Sequence, residues 1–104
     1  MKTEITVDQL KKKLDKKEKF VLLDVRNQYE LKYGEINDSK LIPVQEIEFR
    51  YPEIDKNKEI VCYCRTGGRS GRAAEFLRSK GFNALNLVGG ILAWKKHDSS
   101  IIEY

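Results

Sequence analysis

A cysteine followed closely by arginines and glycines is the part of this sequence best suited to chemistry. The loop consists of Cys64, Arg65, Thr66, Gly67, Gly68, Arg69 and Ser70. It follows the apolar run 60–63 and leads into a helical pattern that extends from Ser70 to Lys80. Backbone N–H groups of a glycine turn at a helix start bind anions, and such surroundings lower a cysteine pKa from about 8.5 into a range of roughly 3.5 to 7.5. The pattern therefore predicts that Cys64 is a thiolate nucleophile.

A buried structural cysteine is the simpler alternative, because free cysteine is among the most buried residue types. That alternative does not explain why arginines occupy the first and fifth positions after the cysteine. It also leaves the adjacent Gly67 and Gly68 without a reason, since glycine loses more backbone entropy on folding than other residues. The charges of Arg65, Arg69 and Arg72 would instead favour the thiolate. We therefore favour a nucleophile at Cys64.

Length and composition predict one soluble globular domain over residues 1–104. The chain has 104 residues, of which 40% are hydrophobic and 35% are charged, and this length supports a single core. Membrane insertion is not expected, because no stretch approaches the roughly 20 apolar residues that a spanning helix requires. Residues 1–14 alternate charged with isolated apolar residues and lack the apolar segment of a signal peptide, so we expect a cytoplasmic location.

The net charge of +4 does not by itself indicate nucleic-acid binding. Lysines occur in short runs interleaved with acidic residues, and aromatic residues do not alternate with basic ones as they would in a base-stacking surface. The positive field would instead attract small anions or an acidic partner. Cys62 and Cys64 are too close for an unstrained disulfide, and with the single His97 they fall short of the four ligands of a closed zinc site. No metal or other cofactor is expected.

Strand-like and helix-like segments alternate along the chain. Apolar runs predict strands at residues 20–23, 41–42, 60–63 and 84–88. Five helices are predicted. The first follows the capping box Thr6-x-x-Gln9, the second begins at Asn27-x-x-Glu30, and the third extends from Val44 to Tyr51 before Pro52. The fourth ends at Gly81, and the last carries Trp94. This alternation predicts an α/β fold with a small, mostly parallel sheet and helices on both faces. Sites in such sheets lie beyond the carboxyl ends of the strands, which is where Cys64 falls.

Several motifs, taken in order, resemble those of single-domain rhodaneses. They are Leu23-Asp24-Val25-Arg26 with Glu30, Gly34-x-Ile36, Ile42-Pro43, the segment 60–70, and Gly89-Gly90-x-x-x-Trp94. The resemblance extends from Thr6 to Lys96 and is most specific in the Cys-Arg-x-Gly-x-Arg loop. Glu35, Asp38 and Ser39 depart from the residues that family members often carry there. The resemblance implies a sulfurtransferase in which Cys64 becomes a persulfide and Asp24 and Arg26 are buried polar supports near the site.

The loop suggests how such a transfer would proceed. The Cys64 thiolate would take the sulfane sulfur of thiosulfate or of a persulfide donor and pass it to cyanide, a thiol or a thioredoxin-like protein, in two displacements with ping-pong kinetics. N–H groups from Thr66 to Ser70 would stabilise the persulfide anion, as an oxyanion hole stabilises oxygen. Arg65 and Arg69 would hold the sulfonate of the donor.

Two other functions fit parts of the same pattern. Phosphatases and arsenate reductases use a related Cys-x5-Arg loop, whereas four residues separate Cys64 from Arg69 here, which predicts a smaller ring of amides. A non-catalytic docking module on the same fold would have no use for the nucleophile or its flanking charges. We therefore expect an enzyme, and sulfur transfer rather than oxyanion hydrolysis.

Overall fold

The computed structural model, which describes residues 2–104, contains a five-stranded parallel sheet. In chain order the strands are β1 (Glu4–Ile5), β2 (Val21–Asp24), β3 (Lys40–Leu41), β4 (Glu59–Tyr63) and β5 (Asn83–Leu87). The spatial order is β1-β5-β4-β2-β3, and every neighbouring pair is parallel. The central position of β4 brings its carboxyl end, and the loop that follows, between β2 and β5. The predicted α/β fold is confirmed.

Within the described residues 2–104, four α-helices connect or follow the strands. They are α1 (Val7–Asp15), α2 (Ile47–Arg50), α3 (Gly68–Ser79) and α4 (Gly90–Trp94), and 3₁₀ helices occupy Gln28–Tyr33, Val44–Glu46, Tyr51–Glu53 and Lys95–His97. The predicted capping box opens α1: the Gln9 N–H donates to Thr6 Oγ1 over 3.1 Å and the Thr6 N–H donates to Gln9 Oε1 over 2.9 Å. Across residues 2–104, none of the helices is long and apolar enough to cross a membrane.

The strands bury side chains on both faces of the sheet, as the continuous apolar runs predict. One face packs against α2 and α3 in a cluster that includes Leu23, Cys62 and Leu77. The other face packs against α1 and α4 in a cluster that includes Leu10, Tyr63 and Trp94. Because successive strand residues point to opposite faces, Cys62 and Cys64 belong to the α3 side whereas Tyr63 belongs to the α4 side.

Local details differ from the sequence-based expectation, and the segment 44–51, expected as one helix, is divided among a 3₁₀ helix, α2 and a second 3₁₀ helix. The two-residue strand β1 has no apolar run of its own and exists through its pairing with β5. Helix α3 begins at Gly68, two residues before the expected start, because Gly67 turns the chain with φ of +114°. Residues 28–33 form a 3₁₀ helix. Pro52 lies inside the 3₁₀ helix Tyr51–Glu53 instead of ending a helix, since a first-turn N–H has no intrahelical acceptor to lose.

Candidate active site

The candidate site lies where β4 passes into α3. Cys64 is the first residue after β4, and the short turn through Gly67 leads directly into α3. The carboxyl end of β2 is adjacent, with Asp24 paired in register with Tyr63. Thr66 and Gly68 are exposed on the loop, whereas Cys64 is only 1% exposed. The fold therefore buries the sulfur beneath a loop whose outer edge faces solvent.

Three hydrogen-bond donors surround the sulfur of Cys64. The Gly67 N–H lies 3.1 Å from it, the Ser70 N–H lies at 3.4 Å and the Ser70 hydroxyl oxygen lies at 3.3 Å. Burial raises the pKa of the thiol, but the Ser70 hydroxyl and the N–H groups of Ser70, Gly67 and Thr66 outweigh it, so that the net pKa lies below the ordinary value. The loop geometry therefore favours a thiolate at Cys64.

Hydrogen bonds lower the pKa of Cys64 more than the flanking arginines do, although the sequence analysis emphasised the arginines. The Ser70 hydroxyl is the largest of the causes that lower the pKa of Cys64, and backbone N–H groups follow. Arg72 lines a surface cavity of about 220 Å³ together with Val44, Ile47 and Phe76. The loop thus works mainly through fixed dipoles held within bonding distance of the sulfur.

The second cysteine has the opposite environment. Cys62 lies inside β4, is fully buried, and belongs to the cluster beneath α3. Burial raises the pKa of its thiol to about 12. Both cysteines are free thiols. The pKa values of Cys62, in β4, and Cys64, in the turn after it, are therefore shifted in opposite directions, because only Cys64 receives the hydrogen bonds of the loop.

Arg69 is held by Glu30, a residue that the sequence placed in a helix cap and not in the site. The Nη1 and Nη2 groups of Arg69 donate to Oε1 and Oε2 of Glu30 over 2.6 and 2.9 Å. Glu30 is 2% exposed, and it also accepts from the Asn27 N–H at 3.0 Å and from the Tyr104 hydroxyl at 2.7 Å. The bonds from Arg69, with those from Asn27 and Tyr104, lower the pKa of Glu30 to about 2.

Asp24 and Arg26 form a second, buried ion pair, which contacts the backbone of Glu30. Both side chains are buried, and Arg26 donates to the Asp24 carboxylate through Nε at 2.9 Å and Nη2 at 2.8 Å. Arg26 also reaches the carbonyl oxygens of Glu30 and Gly34. The pair therefore joins the end of β2 to the 3₁₀ helix that carries Glu30.

Arg65 is engaged by the last described residue. Its Nε group donates to the backbone oxygen of Tyr104, and its guanidinium lies 5.3 Å from the Tyr104 ring centroid. The Tyr104 ring also stacks in parallel on the Tyr33 ring, with 4.2 Å between the two ring centroids. The Ile102 N–H donates to the Tyr33 carbonyl at 2.9 Å. Segment 101–104 thus brings Tyr104 against both Arg65 and Glu30.

The Gly89-Gly90 turn supports the loop from behind. The N–H groups of Ile91 and Leu92 donate to the carbonyls of Cys64 and Arg65 over 2.9 and 3.2 Å. Gly90 has a φ of +60°, and a Cβ there would lie 2.4 Å from the Arg65 carbonyl oxygen. This close approach explains why a glycine is needed at the start of α4.

Three residues of this arrangement lay outside the sequence-predicted site: Glu30, Tyr104, and Asn86 on β5, whose side chain contacts the Ser70 hydroxyl and the Gly67 carbonyl. Glu30 carried a signal, because it follows the Leu23-Asp24-Val25-Arg26 motif on which the family resemblance partly rests. Asn86 is a polar residue within the apolar run 84–88, which is a usable signal as well. Tyr104 carried none, since its contacts with Glu30 and Arg65 depend on the path of the chain after α4.

Comparison with known proteins identifies the family. The family model described as "Rhodanese-like domain" matches residues 6–97. The chain belongs to the rhodanese-like domain family. A protein named "Sulfurtransferase" from Allochromatium vinosum is 38% identical to this rhodanese-like chain over 103 residues, which cover 98% of this chain and 96% of the relative.

Solved structures agree with this membership. A rhodanese-related protein from Thermoplasma volcanium superposes with a TM-score of 0.85 at 30% identity, covering 92% of this rhodanese-like chain and 93% of the other. A rhodanese-like domain protein from Staphylococcus aureus gives a TM-score of 0.83 at 37% identity, covering 90% and 91% of the two chains. The resemblance inferred from the motifs is therefore confirmed for the family and the fold.

Proposed function

We propose that this chain is a sulfurtransferase that moves a sulfane sulfur from thiosulfate or a persulfide donor to a thiol or cyanide acceptor through a persulfide on Cys64. The observation that carries the proposal is the convergence of Gly67 and Ser70 donors on the Cys64 sulfur at 3.1 to 3.4 Å. A relative named as a sulfurtransferase, similar over almost its whole length, supports the reaction class.

In the first displacement the Cys64 thiolate attacks the sulfane sulfur of thiosulfate. The new bond joins the two sulfurs, the bond between the sulfane sulfur and the sulfonate breaks, and sulfite leaves with the electron pair. The product is Cys64–S–S⁻, and no proton is transferred. A general base beside the cysteine is therefore unnecessary, provided that Cys64 is already ionised. The lowered pKa of Cys64 is consistent with that requirement.

In the second displacement an acceptor attacks the outer sulfur of the persulfide. Cyanide then leaves as thiocyanate and a thiolate leaves as a new persulfide, while Cys64 recovers its electron pair as a thiolate. The exposed loop residues Thr66 and Gly68 lie at the edge that faces solvent. We propose that small thiols and the cysteine of a thioredoxin-like protein approach from this edge.

Arg69 and Arg65 are the proposed contacts for an anionic donor. A guanidinium has five N–H donors, and the bonds to Glu30 use two of those of Arg69. The remaining donors are available for the sulfonate of thiosulfate, while the ion pair fixes where they lie. Arg65 is fixed in the same way by Tyr104. We propose a cytoplasmic setting for the reaction, because a reducing compartment keeps both thiols free.

Mass spectrometry of the intact protein after incubation with thiosulfate tests the proposal. We expect one added sulfur on Cys64, its removal by a thiol reductant, and its transfer to cyanide as thiocyanate. Cys64→Ser should abolish the adduct and the turnover, whereas Cys62→Ser is the matched control and should retain both. Absence of any adduct with thiosulfate and with a small persulfide would overturn the proposal and leave a binding module of the same fold.

A further inference from the structure

Asn86 bridges the two residues, Gly67 and Ser70, whose other polar groups donate to the sulfur of Cys64. It lies on β5, beside the loop, and its Nδ2 group donates to the Gly67 carbonyl at 3.1 Å. Its Oδ1 lies 2.6 Å from the Ser70 hydroxyl oxygen. Because the Gly67 carbonyl can only accept, the amide must turn its NH₂ group to Gly67 and its oxygen to Ser70. The orientation of the amide is thereby fixed by chemistry.

The hydroxyl of Ser70 has two acceptors within reach but a single hydrogen. Its oxygen is 2.6 Å from Asn86 Oδ1 and 3.3 Å from Cys64 Sγ, and Ser70 is fully buried. The amide oxygen cannot donate, so a bond between Ser70 and Asn86 requires the hydroxyl hydrogen. The hydrogen therefore lies either on the side of Asn86 or on the side of Cys64, and not on both.

We propose that Asn86 is a positioning residue of the Cys64 loop: it braces the Gly67 peptide and offers the Ser70 hydroxyl hydrogen a second acceptor. In the thiol form the hydrogen points to Asn86, and the Cys64 S–H donates to the Ser70 oxygen. When the thiol proton leaves to the buffer, the hydroxyl hydrogen turns to the sulfur. Ser70 stays neutral throughout, and only the thiol proton is released.

The Ser70 hydroxyl hydrogen reorients in the same way during the proposed sulfur transfer. This part of the inference rests on the proposed function, in which Cys64 is the nucleophile. In the persulfide the negative charge lies on the outer sulfur, which makes the inner sulfur a weaker acceptor. The Ser70 hydrogen then returns to Asn86 until the acceptor removes the outer sulfur. In the thiol, thiolate and persulfide forms of Cys64, the buried Ser70 hydroxyl therefore always has an acceptor for its hydrogen, either Asn86 or the sulfur.

A double-mutant cycle with Asn86→Ala, Ser70→Ala and the combined variant tests the coupling. The readout is the pH dependence of Cys64 alkylation by iodoacetamide, followed by peptide mapping. If Asn86 acts through Ser70, the two single shifts in the apparent pKa will fail to add, and the double variant will differ from their sum by about half a unit or more. Additive shifts would overturn the proposal. Should Asn86→Ala unfold, Asn86→Ser replaces it in the same cycle.

Asn86→Asp gives a second test with a definite sign. A carboxylate only accepts, so the Gly67 carbonyl keeps the Gly71 N–H at 3.0 Å but loses its side-chain donor, while Ser70 gains a charged competitor to Cys64. We expect alkylation at about pH 6 to slow by about tenfold, equivalent to one pKa unit. Asn83→Asp, an exposed position on the same strand, is the matched control and should leave the profile unchanged.

If Asn83→Asp slowed Cys64 alkylation as much as Asn86→Asp, the added negative charge alone would explain the change. That outcome would overturn the proposed positioning role of Asn86. Alkylation needs no sulfur donor, so failure of the sulfurtransferase proposal would not obscure this measurement. Thermal unfolding of each variant verifies that the fold is retained.

Discussion

Glu30 and Arg69 form an ion pair with two hydrogen bonds, from Nη1 to Oε1 at 2.6 Å and from Nη2 to Oε2 at 2.9 Å. It joins the 3₁₀ helix after β2 to the first turn of α3. The pKa of Arg69 is raised by this partner, as that of Glu30 is lowered. Arg69, one of the two arginines proposed to bind the sulfur donor, is thus positioned by a carboxylate 39 residues away in sequence.

The two cysteines should differ sharply in reactivity. Near neutral pH we expect iodoacetamide to label Cys64 first, because hydrogen bonds favour its thiolate, and Cys62 to stay protected until the protein unfolds. The rate of Cys64 labelling should rise with pH and level off below the ordinary pKa of a thiol. Peptide mapping of a labelling time course checks this, and labelling of Cys62 first would reverse the assigned roles.

Glu30→Gln should destabilise the protein in a pH-dependent way. The pKa of Glu30 falls from 4.5 to about 2 on folding, so its charge stabilises the fold fully above pH 4.5 and progressively less as the pH falls toward 2. A shift of that size corresponds to about 3 kcal/mol of unfolding free energy at neutral pH. Urea unfolding should show a difference from wild type that shrinks on acidification, whereas exposed Glu48→Gln should show little difference at any pH.

Arg69→Leu should weaken donor binding, whereas Arg78→Leu should do little to it. Arg69 lies in the loop, while Arg78 is in the last turn of α3 and donates to the Ala84 carbonyl. Steady-state kinetics with thiosulfate should show a loss in kcat/KM of about tenfold or more for Arg69→Leu, the scale of one charge-assisted hydrogen bond. The double variant Glu30→Gln with Arg69→Leu removes the buried unpaired carboxylate; recovery of activity in it would argue against donor binding by Arg69.

The size of the loop should determine the reaction type. The wild type is expected to transfer sulfur from thiosulfate and to hydrolyse an aryl phosphate negligibly, because we expect the short ring of amides from Cys64 to Arg69 to fit a terminal sulfur. One glycine inserted between Gly67 and Gly68 creates Cys-x5-Arg spacing and should displace the Gly67 N–H from Cys64, where it now lies at 3.1 Å. The insertion variant should lose sulfur transfer and bind phosphate-like anions better.

Both activities are to be measured on both proteins. Robust phosphatase turnover by the wild type would refute sulfur transfer as the function. Unchanged sulfur transfer in the insertion variant would refute only the argument from loop size.

Gly90→Ala should destabilise the protein by displacing the Gly89-Gly90 turn from the backbone of Cys64 and Arg65. A Cβ at Gly90 would lie 2.4 Å from the Arg65 carbonyl oxygen and 2.6 Å from that of Cys64, at a φ of +60°. We expect a loss of stability of about 1 to 3 kcal/mol or more from backbone strain and displacement. Gly68→Ala is the stability control, since its Cβ would have no neighbour within 4 Å among the described residues. Equal melting temperatures for the two variants would contradict this explanation.

The sequence determined the features of this protein that depend on near neighbours. The capping box of Thr6 and Gln9, the buried runs that became β2, β4 and β5, and the turn after Cys64 are all encoded within a few residues. Their alternation predicted the α/β fold, and the ordered motifs predicted the rhodanese family; both are confirmed. The role of Cys64 as a nucleophile stays a prediction that the loop geometry supports.

Tertiary structure alone decided which distant groups complete the site. Strand β5 lies next to β4, which places Asn86 against Gly67 and Ser70, and the path after α4 brings Tyr104 to Glu30 and Arg65. Such contacts have no period or spacing in the chain, because they depend on the order of strands in the sheet and on how the connecting segments cross its edge. Local propensity acts over a few residues. The order of the strands depends instead on the whole chain, because helices must cover both apolar faces of the sheet at the same time.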